Sequence, residues 1–546
     1  MTPWVALVGP EIEENLSLRY LASALKRVGV HSEILAFNDG GQLNAVASKI
    51  LSASTAPVLV GISMAFQWRA PDMLALAVAL RENGYQGHIT LGGHFATFAA
   101  REVLSDFPEV DSVCRQEAEE TLVELVACLR EGKPWSALSG VAVRGLLGPQ
   151  LNDLRHVPEL SKLAWPDRRG EPAAAFGHRI APLVSTRGCY ANCTFCCIAA
   201  WHEQALPGKR YRERPLEDVA DEMASLHHDR GIDIFVFHDD NFFLPSGVKN
   251  AARIDSLARM LTERGVHRYA TVVKARPTDV QPRVFEALKR RLNCIRVYVG
   301  IETDADQGLE TLQRWARSKH NHQSMAEVER LELYTCFNIL LFDPDTTLAS
   351  LDDNLAFMER YAHHPFNFGR TELYAGTPLL QRMQQEGRAR GDWLQWDYSM
   401  ADEKVERVFE LTSRAFDERN FGAHSLANTM MGMRFDIEVV RHFHPDRFDV
   451  KWLEDAKQIS RELGRDSVRA MRNIIERVTG GVSAHDDRAF ADSLAAELRA
   501  RDELLGERTL QLLQALTRVL PEGRPMSAWK DVVATPLQKG VAEVHS

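Results

Sequence analysis

Three cysteines on one short segment constrain this chain more than any other feature of its sequence. Cys189, Cys193 and Cys196 have the spacing C-x3-C-x2-C and directly follow a strand-like run over 181–186. Three thiolates on one tight loop suit a soft metal or an iron–sulfur cluster. A 4Fe–4S cube has four irons, so three cysteine ligands leave one iron open to a substrate or a second cofactor. The spacing therefore predicts a 4Fe–4S cluster at these residues.

The alternatives to a cluster are disulfides and zinc. The chain has eight cysteines in 546 residues, and four of them, including Cys197, fall within nine residues, whereas a disulfide framework is typical of small secreted chains. A zinc site would use Cys197 or His202 as its fourth ligand, but such sites usually pair two close cysteines with a distant second pair, which is missing here. We expect Cys197 to point away from the cluster. The other cysteines are interpreted as small buried hydrophobes: Cys114, Cys128, Cys294 and Cys336.

Residues 1–135 alternate short apolar strands with helical patterns. A helix is predicted over 73–82 between the last two of the strand-like runs, which are 5–8, 31–37, 58–63 and 88–91. This rhythm predicts a doubly wound, Rossmann-like α/β sheet. Ligands of such sheets bind beyond the carboxyl ends of the strands, which here carry Gly9-Pro10, Ser63-Met64 and Gly92-Gly93-His94.

The rest of the chain divides into three parts. Residues 136–180 are irregular and rich in Gly, Pro and charged residues, so we interpret them as a linker. Residues 181–390 return to the strand–helix rhythm and predict either an open sheet or a partial barrel. Residues 391–546 have a helical pattern and carry no recognisable functional motif. One apolar helical stripe in this region is predicted to end at Gly480-Gly481. The predicted strands of the middle part are 181–186, 232–238, 269–275, 295–301, 337–342 and 366–374, and the helical stripe is Val468, Met471, Ile474, Ile475 and Val478.

Composition excludes several classes of protein. Hydrophobic residues make up 45% of the chain and charged residues 26%, as in ordinary globular proteins. The net charge of −10 argues against coating nucleic acid or anionic lipid. No apolar run approaches the ~20 residues that cross a bilayer, and the first residues, MTPWVALVGPEIEE, lack the basic start of a signal peptide. We therefore expect a cytoplasmic protein without nucleic-acid or membrane partners.

The cysteine segment resembles the radical S-adenosylmethionine (radical SAM) superfamily. Its hallmark, C-x3-C-x-aromatic-C after the first strand of a partial (β/α)6 barrel, is matched by Cys189, Cys193, Phe195 and Cys196. The resemblance implies that S-adenosylmethionine chelates the open iron, and that the reduced cluster cleaves it to a 5′-deoxyadenosyl radical. It also implies an external electron donor such as flavodoxin or ferredoxin.

Further segments match the superfamily in the expected order. His238-Asp-Asp-Asn-Phe242 and Val299-Gly-Ile-Glu-Thr303 resemble the segments beside the methionyl and adenine groups, and 341–347 and 374–378 resemble later strand ends. Lys274, Arg276 and Arg370 are candidates to hold a carboxylate, although a solvated or salt-bridged role suits each of them as well. The residues predicted by this resemblance to contact S-adenosylmethionine are Phe195, Asp239, Asp240, Asn241, Lys274, Gly300 and Glu302.

An N-terminal doubly wound domain before this barrel resembles the cobalamin-binding radical SAM enzymes. The segment Arg115-Gln-Glu-Ala-Glu119 departs at Gln116 and Ala118 from the R-G-E-G-E of the family, and a side chain there restricts a turn that glycine leaves free. Many cobalamin proteins have the motif D-x-H-x-x-G, whose histidine ligates cobalt from below. This motif is absent here, and residues 38–42 read NDGGQ instead. The resemblance therefore implies that the loop 64–69 or water lies at the lower face of the corrin. The predicted cobalamin contacts are Ser63, Gln67, Trp68, Gly92, Gly93, His94 and Glu117. The alternative is a scaffold that binds no cobalamin.

Three functions follow from these patterns. The first is a cobalamin-dependent radical C-methyltransferase acting on an unactivated carbon of a small molecule or natural product. The second is a radical enzyme of the same architecture that cyclises or rearranges its substrate without methyl transfer. The third is a non-catalytic cobalamin or redox sensor, for which no basic DNA-binding pattern is present. The sequence names neither the catalytic residues nor the substrate.

Overall fold

The computed structural model describes residues 4–208, 210–422, 425–520 and 523–526. Its backbone contacts divide the chain into two compact units. The first unit comprises Met1–Glu171, Thr186–Asp218 and Glu372–Asp397. The second unit comprises Pro172–Ser185, Val219–Thr371 and Tyr398–Ser546. The chain therefore passes between the units several times, and the cysteine segment belongs to the first.

The first unit is built on a seven-stranded sheet in the order β2-β1-β3-β4-β5-β6-β7. Strands β1 to β5 are mutually parallel, as the doubly wound prediction requires. The strands are β1 (Trp4–Gly9), β2 (His31–Ala36), β3 (Leu59–Ser63), β4 (His88–Gly92), β5 (Ser112–Cys114), β6 (Val141–Gly145) and β7 (Gly148–Leu151). The helices are α1 (Leu16–Arg27), α2 (Leu43–Leu51), α3 (Ala70–Glu82), α4 (His94–Phe98), α5 (Ala100–Asp106) and α6 (Glu119–Glu131).

The prediction of an irregular linker over 136–180 is wrong at two places, where pairs of strands form. Strands β6 and β7 form an antiparallel hairpin that extends the first sheet, with Leu146 and Leu147 exposed at its tip. Further along, β8 (Ala173–Ala175) and β9 (His178–Leu183) form a second antiparallel pair. The apolar run Val141-Ala-Val143 is a strand signal, but the glycines and charged residues around it favoured a linker.

A small hairpin of the first unit brackets the cysteines. It consists of β10 (Thr186–Gly188) and β11 (Tyr211–Glu213), paired antiparallel, with α7 (Cys197–Gln204) between them. The order of the chain therefore places all three predicted cluster ligands between the two strands of this hairpin.

The second unit has a seven-stranded sheet in the order β16-β15-β14-β13-β12-β9-β8, in which six strands are parallel. All six strands predicted in this region are confirmed to within a few residues at their ends. The elements in chain order are α8 (Leu216–Arg230), β12 (Ile232–Phe237), α9 (Gly247–Glu263), β13 (Ala270–Ala275), α10 (Pro282–Arg291), β14 (Cys294–Glu302), α11 (Asp306–Thr311), α12 (Ser318–Arg330), β15 (Tyr334–Phe342), α13 (Leu348–Arg360) and β16 (Phe366–Arg370).

The C-terminal region is helical, as predicted, and packs on the second sheet. Its apolar cluster joins the strand residues Ile234 and Tyr334 to Met430, Met433 and Ile437 of a C-terminal helix. The predicted stripe from Val468 to Val478 is buried apart from the half-buried Ile475, and its helix ends at Thr479, before the glycine pair. The part of the predicted helical region over 527–546 lies outside the described residues. The remaining elements are α14 (Pro378–Gln385), β17 (Ala389–Gly391), β18 (Trp396–Tyr398), α15 (Glu403–Ala415), α16 (Leu426–Phe443), α17 (Val450–Thr479) and α18 (Asp487–Val519).

Within the described ranges, no helix combines the length and apolar content needed to cross a bilayer.

Candidate active site

The backbone at the entrance to the cysteine loop can be formed only by glycine. Gly188 ends β10 with φ +88°, a conformation that L side chains rarely adopt. A Cβ at this position would stand 1.7 Å from the carbonyl oxygen of Arg210. The close approach of the two hairpin strands therefore fixes the point at which the chain turns into Cys189.

The three predicted ligands occupy a protected loop. Cys193 is buried, Cys189 and Cys196 are half-buried, and the backbone N–H of Ala191 donates to the Cys189 sulfur at 3.4 Å. Burial raises the pKa of the Cys196 thiol to about 12; the nearby Cys193 and Cys189 sulfurs act in the same direction, and the backbone N–H groups of Ala199 and Ile198 act against it. Bound iron would favour the thiolate form that a ligand needs.

The fourth ligands proposed for zinc have other roles. Cys197 is the first residue of α7 and packs against the apolar core of the first unit, beside Ala375. His202 is buried with its ring edge-on to Trp201. Cys197 therefore packs against this core, and the expectation that it takes no part in the cluster stays a prediction.

Two arginines tie the cysteine hairpin to the segment that follows β5. Arg187, next to Gly188, donates to Glu117 at 2.7 Å and pairs with Glu119 at 2.8 Å. Arg212 on β11 makes a short contact with the other oxygen of Glu117, whose side chain is 4% exposed. Burial alone would raise the pKa of Glu117, but the two arginines hold it below its ordinary value. We call Glu117, Glu119, Arg187 and Arg212 the ion-pair clamp.

The clamp changes the interpretation of Glu117. Sequence analysis placed this residue at the cobalamin, but both carboxylate oxygens are engaged by the arginines that bracket the cysteine loop. Its direct contact with cobalamin stays a prediction, whereas its contact with the cysteine hairpin is a structural fact.

Gln116 adopts a backbone conformation that favours glycine. Its φ is +64°, in the left-handed region, so the side chain costs about 1–2 kcal/mol of backbone strain. The residue is buried, its backbone N–H donates to Thr97, and its amide donates to the Trp201 carbonyl of α7 at 3.1 Å. These bonds offset the strain and link the segment to the helix after the cysteine loop. Ala118, the other departure, has φ −108° and needs no glycine.

The predicted cobalamin residues meet at one edge of the first sheet. Ser63 pairs with Gly92 in register, so the ends of β3 and β4 lie side by side. Gly93 has φ +107°, and a Cβ there would stand 3.0 Å from backbone atoms of Ala65. Only glycine therefore lets these two loops approach so closely. His94 begins α4, its ring 4.8 Å from Trp201.

The loop after β3 presents aromatic surface but no available ligand. Phe66 and Trp68 are exposed to 46% and 38%, which suits contact with the flat face of a corrin. Gln67, by contrast, is buried, and its amide donates to the Leu373 carbonyl and accepts from the Ala375 N–H. Gln67 thus fixes the loop to the segment 373–375 of the same unit, and its contact with cobalamin stays a prediction.

In the second unit, the predicted residues after β12 differ in exposure. Asp239 is buried and accepts from the backbone N–H and hydroxyl of Ser185, at 2.7 and 2.9 Å. Asn241 is buried, whereas Asp240 is exposed. Asp239 therefore positions the strand ends, and Asp240 is the member of this trio most accessible to a ligand.

The remaining predicted residues of the second unit follow β13 and β14. Lys274 is exposed near the end of β13. Glu302 ends β14 with φ +64°, and burial raises its pKa while Arg314 lowers it. Arg314 also donates to the Gly300 carbonyl, at 2.5 Å. A strained, buried carboxylate at a strand end is typical of a functional position.

The other two cations proposed for a carboxylate are engaged in packing. The Arg276 guanidinium donates to the Arg314 carbonyl in a short contact. Arg370 lies over the Tyr398 ring, 3.7 Å from its centroid, and donates to the carbonyl of the same residue. Of the three cations, Lys274 has the most exposed side chain.

Comparison with known proteins decides the family. Residues 5–126 match the family model described as the B12 binding domain, and residues 183–387 match that of the radical SAM superfamily. This chain belongs to the cobalamin-binding radical SAM enzymes. The expected fold class is thereby confirmed, and the sensor hypothesis is set aside because the relatives that match this chain are named as enzymes.

Three comparisons show the range of this radical SAM family. The chain is 24% identical over 379 residues to the uncharacterized methyltransferase PH0819 of Pyrococcus horikoshii, covering 67% of this chain and 77% of that one. It is 24% identical to the anaerobic magnesium-protoporphyrin IX monomethyl ester cyclase of Cereibacter sphaeroides, covering 67% of this chain and 60% of the relative. The structure of the radical SAM enzyme OxsB with aqua-cobalamin and S-adenosylmethionine superposes with a TM-score of 0.66 at 18% identity, covering 97% and 84% of the two chains. This last likeness shows the fold.

Sequence reasoning missed Glu372, the second residue after the end of β16. Burial raises the pKa of its carboxyl to about 7. The signal that could have found it is its position, since polar residues just beyond a parallel strand commonly face ligands. The apolar neighbours Leu373 and Tyr374 drew attention to the strand pattern instead.

Glu372 is expected to make stability depend on pH. Its folded pKa is raised, so the unfolded chain releases the proton first, and stability falls as pH rises from about 4.5 to about 7. Glu372→Gln should remove this pH-dependent part of the stability. The Tm of the variant minus that of the parent should therefore increase as pH rises across that range. Thermal unfolding at a series of pH values measures it, and a constant difference would contradict the assignment.

Proposed function

We propose that this radical SAM enzyme holds a 4Fe–4S cluster on Cys189, Cys193 and Cys196. We further propose that it transfers a methyl group, with cobalamin, to an unactivated carbon of a small-molecule substrate. The observation that carries the proposal is the composition of the first unit. The cysteine segment Thr186–Asp218 and the B12-binding sheet fall in the same compact unit. Methyl transfer needs both cofactors near one substrate, whereas a cluster acting alone does not.

Each part of the chain has a defined task in this proposal. When bound, the cluster supplies the electron that cleaves S-adenosylmethionine and the corrinoid carries the methyl group. The ion-pair clamp and the Gln116 amide hold the cysteine loop against the B12-binding sheet. Phe195, Asp240, Lys274, Gly300 and Glu302 are proposed to contact S-adenosylmethionine, with Asp239 and Asn241 shaping that surface from buried positions.

The corrin surface is assigned to the edge of the first sheet. Ser63, Gly92, Gly93 and His94 are proposed to border it, because they end or follow adjacent parallel strands. The exposed Phe66 and Trp68 are proposed to lie against the lower face, and Gln67 to hold their loop. Such a face offers cobalt weak ligation, which favours departure of a methyl group.

The setting proposed for this chemistry is a reducing cytoplasm with flavodoxin or ferredoxin as the electron donor. None of the eight cysteines, all of which lie in the described ranges, forms a disulfide, as that compartment favours. The cluster accepts one electron at a time, which small flavin or iron–sulfur proteins deliver.

A second candidate function is cyclisation without methyl transfer. It is favoured by the relative named a magnesium-protoporphyrin IX monomethyl ester cyclase. The two functions differ in the products left from S-adenosylmethionine. Methyl transfer yields S-adenosylhomocysteine together with 5′-deoxyadenosine, whereas radical cyclisation yields 5′-deoxyadenosine alone.

Quantifying the two products separates these functions. Protein reconstituted anaerobically with iron and sulfide is loaded with hydroxocobalamin, reduced and given S-adenosylmethionine. We expect both products, with S-adenosylhomocysteine formed only in the cobalamin-loaded sample. Formation of 5′-deoxyadenosine alone, whether or not cobalamin is bound, would favour cyclisation, and failure to retain cobalamin would contradict methyl transfer.

A further inference from the structure

Three metal-ligating side chains meet in the second unit, away from the cysteine loop. Glu329 lies in the last turn of α12, five residues before β15 begins. His363 and His364 lie in the turn between α13 and β16. Both segments precede neighbouring parallel strands, so the three residues stand at the amino-terminal edge of the second sheet. The residues proposed for S-adenosylmethionine in this unit follow the opposite, carboxyl-terminal edge.

The spacing of the three ligand atoms is close to that of a tetrahedral metal site. The Nε2 atoms of His363 and His364 lie 2.9 and 3.3 Å from the same Glu329 oxygen, Oε1. Ligands bound to zinc at 2.0–2.1 Å are separated by about 3.3 Å. Two of the three separations are therefore close to those of a zinc site, and all three ligand atoms lie within 4.8 Å of one another.

The protonation states also suit a metal. Burial lowers the pKa of His364 to about 4, and the charges of His363 and Arg434 lower it further against the opposing hydrogen bond to Glu329. Hydrogen bonds from both histidines lower the pKa of Glu329 to about 2. At neutral pH the trio thus offers a neutral buried imidazole and an ionised carboxylate, which are the forms that bind metal.

We propose that Glu329, His363 and His364 form a binding site for a divalent transition metal of the zinc class. Two imidazoles and one carboxylate are the borderline donors that zinc accepts, and they leave a fourth position for water. Glu329 is exposed, so an ion can reach the site from solvent. A bound ion would link the two connections that lead into β15 and β16, and it would thereby stabilise this edge of the sheet.

The surroundings of His364 fit this role. Its Nδ1 is buried and has no hydrogen-bond partner within the described part of the protein. A histidine bound to metal through Nε2 carries a proton on Nδ1, which needs an acceptor. His364 borders a cavity of about 20 Å³ that Asn420, Ser460 and Ser467 also line. The cavity is large enough for one water molecule.

Zinc binding to the cluster-loaded protein tests the proposal. Zn²⁺ is titrated in competition with a chromogenic chelator, and we expect one tight site per chain. Glu329→Gln keeps the size of the side chain and His363→Ala changes a partly exposed residue, so both variants should fold. Each should weaken zinc binding at least about 100-fold, since loss of a ligand costs more than the 10–100-fold of an outer-shell partner. His267→Ala, at an exposed histidine elsewhere in the unit, should bind zinc like the parent.

A variant without the three cluster cysteines distinguishes zinc binding at this site from zinc binding at the cysteine loop. The same titration in a variant with Cys189, Cys193 and Cys196 changed to alanine should still show the tight site, because its ligands are elsewhere. Zinc should also raise the Tm of the parent but not that of Glu329→Gln. Unchanged zinc affinity in Glu329→Gln and His363→Ala, or loss of the site with the cysteines, would overturn the proposal. Neither result depends on whether the cluster or cobalamin assignment is right.

Discussion

Cys193→Ala is expected to remove the bound iron and abolish cleavage of S-adenosylmethionine. Cys193 is the most buried of the three proposed ligands, and two cysteines cannot retain a four-iron cube on this loop. Iron should fall from about four atoms per chain towards zero after anaerobic reconstitution. Iron analysis, the visible absorption of the cluster and 5′-deoxyadenosine production measure the effect.

Cys197→Ala is the matched control for this prediction. Cys197 is one residue from Cys196 but packs against the apolar core of the first unit, so its removal should leave the iron content unchanged. Loss of a small buried side chain should cost only modest stability. If Cys197→Ala lost the iron and Cys193→Ala retained it, the ligand assignment would be wrong.

Glu117→Gln is expected to destabilise the protein by about 3 kcal/mol. The substitution leaves Arg212 and part of the Arg187 charge uncompensated in a buried position, and breaking a buried pair costs about 3–5 kcal/mol. Glu119 still pairs with Arg187, so the lower end of this range is expected. The free energy of unfolding from chemical denaturation measures the loss.

The loss should depend on pH. The arginines hold the pKa of Glu117 below its ordinary value, so its carboxylate stabilises the folded state above pH 4.5 and ceases to do so as pH falls through the folded pKa. The difference between parent and Glu117→Gln should therefore be largest near neutral pH and shrink in acid.

Glu120→Gln is the control for the clamp. This glutamate is three residues away but 58% exposed, and it reaches Arg155 only at 3.7 Å. A surface pair of this kind contributes less than about 1 kcal/mol. Equal losses for Glu117→Gln and Glu120→Gln would show that the clamp is not a buried network. Because the clamp holds the cysteine hairpin, Glu117→Gln should also lower the yield of reconstituted cluster, and Glu120→Gln should not.

Local patterns predicted the parallel strands correctly. The apolar run over 59–63 carries no charge and the run over 232–237 carries only Asp233, which is close to the pattern of central parallel strands. The spacing of Cys189, Cys193 and Cys196 spans only eight residues, so it predicts a cluster independently of the rest of the fold. Features that depend on residues close together in the chain can therefore be predicted from the sequence.

Contacts between distant residues could not be predicted in this way. Glu117 and Arg212 are 95 residues apart, and no local pattern indicates that they meet. Gln67 bonds to residues more than 300 positions away, so its assignment as a cobalamin contact rested on loop position alone. The left-handed Gln116 was foreseeable only as a departure from glycine, because its compensating bond reaches Trp201.

The central claim is that three cysteines hold a cluster whose open iron binds S-adenosylmethionine. The most direct measurement is the electron paramagnetic resonance spectrum of the reduced, cluster-loaded protein with and without S-adenosylmethionine. We predict the signal of a reduced 4Fe–4S cluster that changes when S-adenosylmethionine is added, because the open iron gains ligands. A spectrum that S-adenosylmethionine leaves unchanged, or the same signal in Cys193→Ala, would contradict the account.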